Sequence, residues 1–301
     1  MAVERRIFVS VNSDASLKHD DRRLGIKHAV LDRLSSAGYQ PQLFFEAGLA
    51  LSMPWTFQNV ISVMRRCSGA VILGLRRWRT TADGKPVTFI GEYSHFDGAA
   101  ALTLGLPAFI AAESDLLNRG IIYTGGGANI VPIPTDATAA ALLAGKFGAS
   151  FDGWIADLKA RRDIFLGYCG QSAGFAAQVE LILTRSGATV RNWAMDFGVG
   201  GSILEEITRS RMNCDRAIFI FSEDDPLEGK SGQAAPRDNV VFEAGFFMSS
   251  TGPRNTIIIR IGNAKMPADL GGAIYLEVPT LSAGPAIIEA RLDDFATQGL
   301  L

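Results

Sequence analysis

Glu243 is the side chain in this sequence best placed for chemistry. It stands in the run Arg237-Asp238-Asn239-Val240-Val241-Phe242-Glu243-Ala244-Gly245-Phe246-Phe247. A polar, glycine-rich loop over residues 223–236 precedes the run, and residues 254–261 read as a buried strand after it. Glu243 is therefore expected early in a helix, near one end of a sheet. Phe242, Phe246 and Phe247 fall at helical spacing and are expected to face the core. One acid then stands among apolar neighbours, as a functional group or a satisfied structural one. A second copy of the pattern favours function, because Phe96-Asp97 stands where Phe242-Glu243 stands. The loop before Asp97 lacks the Arg-Asp-Asn run, so chemistry is assigned to Glu243. Glu92 and Asp97 mark a candidate ligand site in an altered first copy.

The other polar groups carry weaker signals. Gly200-Gly201-Ser202 can admit a phosphate at a helix start or form an ordinary N-cap. Asp224 and Asp225 read as a solvated acidic loop end rather than a metal site. Arg237 is expected to pair with an acid or a phosphate. Gly125-Gly126-Gly127 reads as a loop. His19, His28 and His95 read as surface or loop residues, and none is paired with a serine or cysteine nucleophile. Cys67, Cys169 and Cys214 are widely separated and lack metal-ligand spacing, so no metal is expected.

These residues need a scaffold, and the hydrophobic pattern supplies one. Strands are expected at 7–11, 41–45, 69–73 and 107–112, with a further one at 121–123. Helices are expected at 20–37 and 57–66, with another beginning at Phe96, and a polar turn at 83–86. Residues 136–162 read as linking helices. The order then repeats: strands at 164–168, 188–193, 217–221 and 255–261, helices at 175–185 and 202–212, and the helix of Glu243. Strands alternating with helices imply parallel sheets covered on both faces.

The repeat reaches residue identity. Cys67-Ser68-Gly69-Ala70-Val71-Ile72-Leu73 matches Cys214-Asp215-Arg216-Ala217-Ile218-Phe219-Ile220. Asp115-Leu116 followed by Ile122-Tyr123 matches Asp269-Leu270 followed by Ile274-Tyr275. The expected fold class is α/β, with two tandem flavodoxin-like or TIR-like domains. The expected division is a first domain over 1–147, a linking helix over 148–162 and a second domain over 163–301.

Four motifs of the second half resemble the bacterial TIR-like family that supplies effectors to the CBASS and Pycsar anti-phage systems. They are Gly200-Gly201-Ser202-Ile203-Leu204-Glu205, Ser222-Glu223-Asp224-Asp225, the run from Arg237 to Gly245, and Met266-Pro267-Ala268-Asp269-Leu270-Gly271. Their order and spacing agree over roughly residues 163 to 279. The first strand departs, with Gly167-Tyr168-Cys169-Gly170 where the family usually has His-Gly. The first half loosely resembles the nucleoside deoxyribosyltransferase and TIR-like superfamily, through Phe96-Asp97-Gly98 and Leu104-Gly105-Leu106-Pro107.

The resemblance of the second half implies hydrolysis of the nicotinamide–ribose bond of NAD, with NAD as substrate and no cofactor. Breaking an N-glycosidic bond builds positive charge on the ribose. A fixed carboxylate beside that sugar stabilises the charge, most strongly where water is excluded. Glu243 is the candidate for this role. Ligands of open α/β sheets bind outside the carboxyl ends of the strands. That rule places Tyr168, Cys169, Trp193, Asp196, Phe197 and Ser202 near the site, with Arg237 and Asn239 beside Glu243. Trp193 or Phe197 can stack on a ring or simply pack.

Composition bounds these readings. The chain has 301 residues, 48% of them hydrophobic, and a net charge of −2. That balance offers no global attraction for nucleic acid or anionic membrane. No apolar run is long enough to span a bilayer, and no signal peptide is read at the start. A reduced, cytoplasmic protein is expected. Its expected partners are NAD, a cyclic or other nucleotide as activator, and further copies of itself in an oligomer or filament. The first domain is read as the sensor or assembly domain. Two other classes compete: a non-catalytic nucleotide-binding sensor or scaffold, and a deoxyribosyltransferase-like enzyme acting on nucleosides.

Overall fold

The buried strands carry apolar side chains on both faces, as central parallel strands must when helices cover each side. In the computed structural model they form two five-stranded sheets, and the chain divides into two units at Ala160–Arg161. The structure describes residues 5–44, 54–193, 202–227, 233–268 and 275–297.

The first unit runs β1 (Arg6–Ser10), α1 (Asp21–Ser36), β2 (Gln40–Gln42), α2 (Phe57–Met64) and β3 (Gly69–Gly74). A hairpin follows, β4 (Trp78–Ala82) and β5 (Lys85–Phe89), and then α3 (Glu92–Thr103) and β6 (Ala108–Glu113). It closes with β7 (Ile130–Ile133), α4 (Ala139–Ala144) and α5 (Lys146–Ala160). The strand order is β2-β1-β3-β6-β7, and every neighbouring pair is parallel.

The second unit repeats this plan. It runs β8 (Arg162–Gly167), α6 (Ala173–Arg185), β9 (Val190–Asn192), α7 (Ile203–Asn213) and β10 (Cys214–Phe221). A short hairpin follows, β11 (Asp225–Pro226) and β12 (Ala234–Ala235), then α8 (Asp238–Thr251), β13 (Thr256–Ile261), β14 (Tyr275–Val278) and α9 (Gly284–Thr297). Its strand order, β9-β8-β10-β13-β14, is that of the first unit, again all parallel. Both are the doubly wound order in which the chain reverses direction between its first and third strands.

Strand periodicity sorts the cores. In the second unit, Phe165, Ala217, Phe219, Phe221 and Ile258 pack with Phe247 of α8 and Ile207 of α7. Ile164, Leu166, Ile218, Ile220, Ile257 and Ile259 face the other way, toward Phe175 and Val179 of α6 and Ile288 of α9. Phe165 stacks on Phe247 at 4.8 Å between centroids. Gly167 ends β8 because the space above it is taken: a Cβ there would lie 2.4 Å from the Phe219 ring. Cys67 and Cys214 are both buried, beside β3 and at the start of β10.

Several expectations are corrected. Residues 121–123 are not a strand. Gly120–Ile122 form a 3-10 turn, and the outer strand of the first sheet is Ile130–Ile133. Tyr123 follows that turn whereas Tyr275 opens the last strand of the second sheet, so these two do not match as structure, and Ile274 lies outside the described residues. The turn at 83–86 is the tip of a hairpin whose strands reach back to Trp78 and on to Phe89. Asp83 and Gly84 both take positive φ, 52° and 73°, the signature of a two-residue hairpin turn. The helix of Asp97 begins at Glu92, not Phe96. The Asp269-Leu270 half of that match lies outside the described residues.

The stretch expected to link the halves, 148–162, is part of the first unit's core. Phe147, Phe151, Ile155 and Leu158 of α5 are buried against the first sheet, and Phe109 of β6 meets Phe147 at 5.4 Å and Phe151 at 4.8 Å. Arg33 of α1 pairs with Asp152 of α5. A stripe at i, i+4, i+8 explains why the segment docks rather than spans. Among the described residues no helix is long and apolar enough to cross a membrane.

Phe151→Ala should therefore destabilise the first unit by about 3–5 kcal/mol, the usual cost of emptying a fully buried aromatic site. Urea unfolding of the intact chain measures it. A true linker would tolerate the change within about 0.5 kcal/mol.

Candidate active site

Helix α8 buries a stripe of Val240, Glu243, Ala244 and Phe247. That spacing puts an acid in line with three apolar residues on the sheet-facing side. Glu243 is 7% exposed, and no donor reaches its carboxylate among the described residues. Burial alone raises its pKa from 4.5 to about 7. Phe242 does not face the core as expected. It is 56% exposed and stacks at 6.5 Å on Phe246, which is half-buried against the core. One helical step of 100° separates it from Glu243, so both cannot lie on the sheet-facing stripe.

The start of α8 is held by another carboxylate. Asp224 is buried, not solvated as expected. Its Oδ1 accepts from Ser222 Oγ at 2.7 Å and from Cys169 Sγ at 2.7 Å. Its Oδ2 accepts from the backbone N–H of Arg237, the N-cap residue of α8, at 3.1 Å. Ser172 Oγ and Ser222 Oγ are 2.5 Å apart in the same knot. Asp224 thus serves as a structural acid, and sequence polarity alone could not show that its partners converge from β8, β10 and α8. Arg237 pairs with an acid, Asp225, at 3.3 Å on the surface. No group of three or more metal-ligating side chains is present among the described residues.

The remaining expected site residues divide. Tyr168 and Cys169 follow β8 directly, at its carboxyl end, and both are buried. Tyr168 donates to Asn192 Oδ1 at 2.7 Å, Asn192 donates to Glu180 at 2.8 Å, and the Tyr168 ring meets Trp193 edge-on at 6.0 Å. Cys169, Val240 and Ala244 share one cluster, with Trp193 packed against it. So Cys169 and Trp193 come together with the face of α8 that carries Glu243, whereas Tyr168 packs in the cluster on the other face of the sheet. Asn239 is exposed, one turn before Glu243 on the same helix. Ser202 caps α7 by position, exposed and without a side-chain hydrogen bond to the helix. Asp196, Phe197, Gly200 and Gly201 lie outside the described residues.

The first unit carries the matching acid. Asp97 is the sixth residue of α3, as Glu243 is the sixth of α8. It is 7% exposed, and burial raises its pKa to about 6, with a hydrogen bond from Ser10 acting the other way. Around it lies a cavity of about 420 Å³, between the end of β1 and the start of α3, with Glu92 also on its wall. His95 is not a free surface group. It is half-buried in α3, its Nδ1 accepts from the N–H of Ile121 at 3.2 Å, and burial, then Arg119, lowers its pKa.

Residues 163–280 match the model of the CAP12/Pycsar effector protein TIR domain. These residues are a TIR domain of that family. A Pycsar effector protein of Burkholderia cepacia is 38% identical over 79 residues, covering 25% of this chain and 26% of that protein. The CD-NTase-associated protein 12 of Sphingobacterium faecium is 34% identical over 82 residues, covering 27% and 25%. That of Flavobacterium daejeonense is 35% identical over 83 residues, covering 27% and 26%. The chain thus spans about a quarter of the length of these relatives.

A buried acid whose pKa is raised by burial leaves a thermodynamic mark. Below pH 4.5 Glu243 is protonated in folded and unfolded chains alike. As pH rises toward about 7 the unfolded chain loses the proton first, so stability falls; above about 7 the full penalty applies. The loss is about 3 kcal/mol. Relative to Glu243→Gln, the wild-type protein should lose that much stability between pH 4.5 and pH 8, measured by urea unfolding at each pH. Parallel curves for the two proteins would mean that Glu243 is paired.

Proposed function

We propose that the TIR domain is an NAD glycohydrolase and that the chain acts as an effector of anti-phage defence. The observation that carries the reading is Glu243, a carboxylate buried without a donor among the described residues, on the core-facing stripe of α8 inside a TIR domain. In the reaction the bond between ribose C1′ and the nicotinamide nitrogen breaks. Its electron pair stays with the nitrogen, and nicotinamide leaves neutral, so no strong general acid is needed. Water adds to C1′ and releases a proton. Ionised Glu243 stabilises the positive charge that builds on the ribose and can accept a hydrogen bond from a ribose hydroxyl. The cationic nicotinamide–ribose portion of NAD in turn favours the ionised form. In this reading Asn239, one turn away, touches the same sugar, and Trp193 packs against a ring.

The proposed activity is latent and rises on self-assembly or on arrival of a nucleotide signal. A site at the exposed end of a sheet admits water, and a neighbouring copy can close it.

Glu243→Gln should lower nicotinamide release roughly a hundredfold to a thousandfold, the usual cost of losing one electrostatic contact to the transition state. Full activity in that variant would remove Glu243 from the chemistry, and no nicotinamide release by the wild-type protein under assembly would leave the domain as a nucleotide-binding sensor or scaffold. In the wild-type protein kcat/KM should rise with pH through about 7, as Glu243 ionises. A flat profile from pH 5.5 to 8.5 would remove Glu243 from the chemistry. Specific activity should also climb steeply with protein concentration in the micromolar range. A dilute monomer with full turnover would refute latency.

A further inference from the structure

We infer that the outer edge of strand β4 docks a second copy of this chain, the two hairpins joining edge to edge in one continuous antiparallel sheet. The inference concerns the first unit and stands whether or not the TIR domain cleaves NAD.

The hairpin has one closed edge and one open edge. β4 and β5 form a two-stranded sheet of their own, and every residue of β4 is exposed. The two-residue turn at Asp83-Gly84 makes Ala82 and Lys85 a hydrogen-bonded pair. Alternation along an antiparallel ladder then makes Thr80–Val87 and Trp78–Phe89 such pairs too. At the base, the Phe89 carbonyl also accepts from the N–H of Arg77 at 2.8 Å. The residues between these pairs turn their backbone groups outward: Arg79 and Thr81 on β4, Pro86 and Thr88 on β5. On β5 that edge is closed. The Thr88 carbonyl accepts from the N–H of Leu117 at 2.9 Å, the Thr88 hydroxyl donates to the Asp115 carbonyl, and Pro86 has no N–H to offer. On β4 it is open: among the described residues, no partner meets the outward N–H and C=O groups of Arg79 and Thr81. A lone two-stranded ribbon is marginally stable, and an unpaired edge is a template for another strand.

The order of side chains on β4 identifies the strand that fits. Two copies of Trp78–Ala82 can pair antiparallel about a two-fold axis at Thr80. Arg79 then lies opposite the partner's Thr81, and the outward backbone groups of both residues are bonded on both copies. An axis at Arg79 or at Thr81 would leave part of these groups without a mate inside β4, and an axis at Arg79 would also set two cations face to face.

Side chains match in the same register. Trp78, 49% exposed, faces the partner's Ala82, the largest side chain of the strand against its smallest. The central row, running from Val87 through Thr80 to its copies on the partner, is β-branched throughout, as sheets prefer. No two charges stand directly opposite one another. An unrelated extended segment would satisfy the backbone groups alone. A copy of β4 satisfies backbone and side chains together, as an isologous interface requires.

Sedimentation velocity of the full chain across the micromolar range tests the inference. The wild-type protein should pass from monomer to dimer as concentration rises. Thr81→Pro removes an outward N–H that the hairpin itself does not use, so the hairpin should persist, as circular dichroism can check. Its dimerisation should weaken roughly tenfold or more, the effect of losing hydrogen bonds across the axis. Thr81→Val keeps the N–H and should associate like the wild type. Thr80→Cys should give a disulfide-linked dimer on oxidation with diamide, because two residues facing each other in a non-hydrogen-bonded pair have the spacing a disulfide needs. Lys85→Cys, on the far strand, should not. Cys67, Cys169 and Cys214 are buried and do not compete. A wild-type chain that stays monomeric throughout the range would overturn the inference. So would association unchanged in Thr81→Pro, or no cross-link in Thr80→Cys.

Discussion

Two buried carboxylates in the TIR domain stand in opposite states, and the site depends on the contrast. Asp224 is met by three donors, from Ser222, Cys169 and the Arg237 backbone. Glu243 is met by none among the described residues. The satisfied acid ties the start of α8 to the carboxyl ends of β8 and β10. The unsatisfied one, two turns further along, is therefore carried into an apolar surrounding that it would not choose. Desolvation then lifts its pKa toward neutrality, and this turns an ordinary glutamate into a group poised between two charge states. Local strain of this kind persists only where the surrounding structure fixes the helix independently. Phe247, stacked on Phe165 and edge-on to Phe219, provides that anchor.

The same geometry, built twice, has two different outcomes. Both units use one strand order, both insert a hairpin after the third strand, and both place an acid at the sixth position of the next helix. In the first unit the hairpin is long and carries Trp78, and the acid lies on the wall of a cavity. In the second the strands of the hairpin shrink to two residues each, and the loop leads into the Arg-Asp-Asn run that binds Asp224 and Asp225. Helix position is thus common to both units, while the hairpin and the loop decide what surrounds the acid.

The sequence alone determined the alternation of the inner strands with helices, the internal repeat, the parallel α/β class and the place of Glu243 in its helix. These rest on local signals: apolar runs, helical spacing, and glycines at helix ends. The family resemblance over the second half rested on motifs that are themselves local. Tertiary structure decided the rest, because each remaining question turns on partners far apart in the chain. Asp224 reads as solvated until Cys169, 55 positions away, is brought against it. Phe242 reads as core until the sheet selects the stripe of Val240, Glu243, Ala244 and Phe247. Residues 148–162 read as a link until Phe109 meets Phe147 and Phe151. The cavity beside Asp97 gathers residues from β1, β4, α3 and the loop before α2, and no local pattern encodes such a gathering. Burial is a property of the folded whole, and it is burial that gives both acids their altered chemistry.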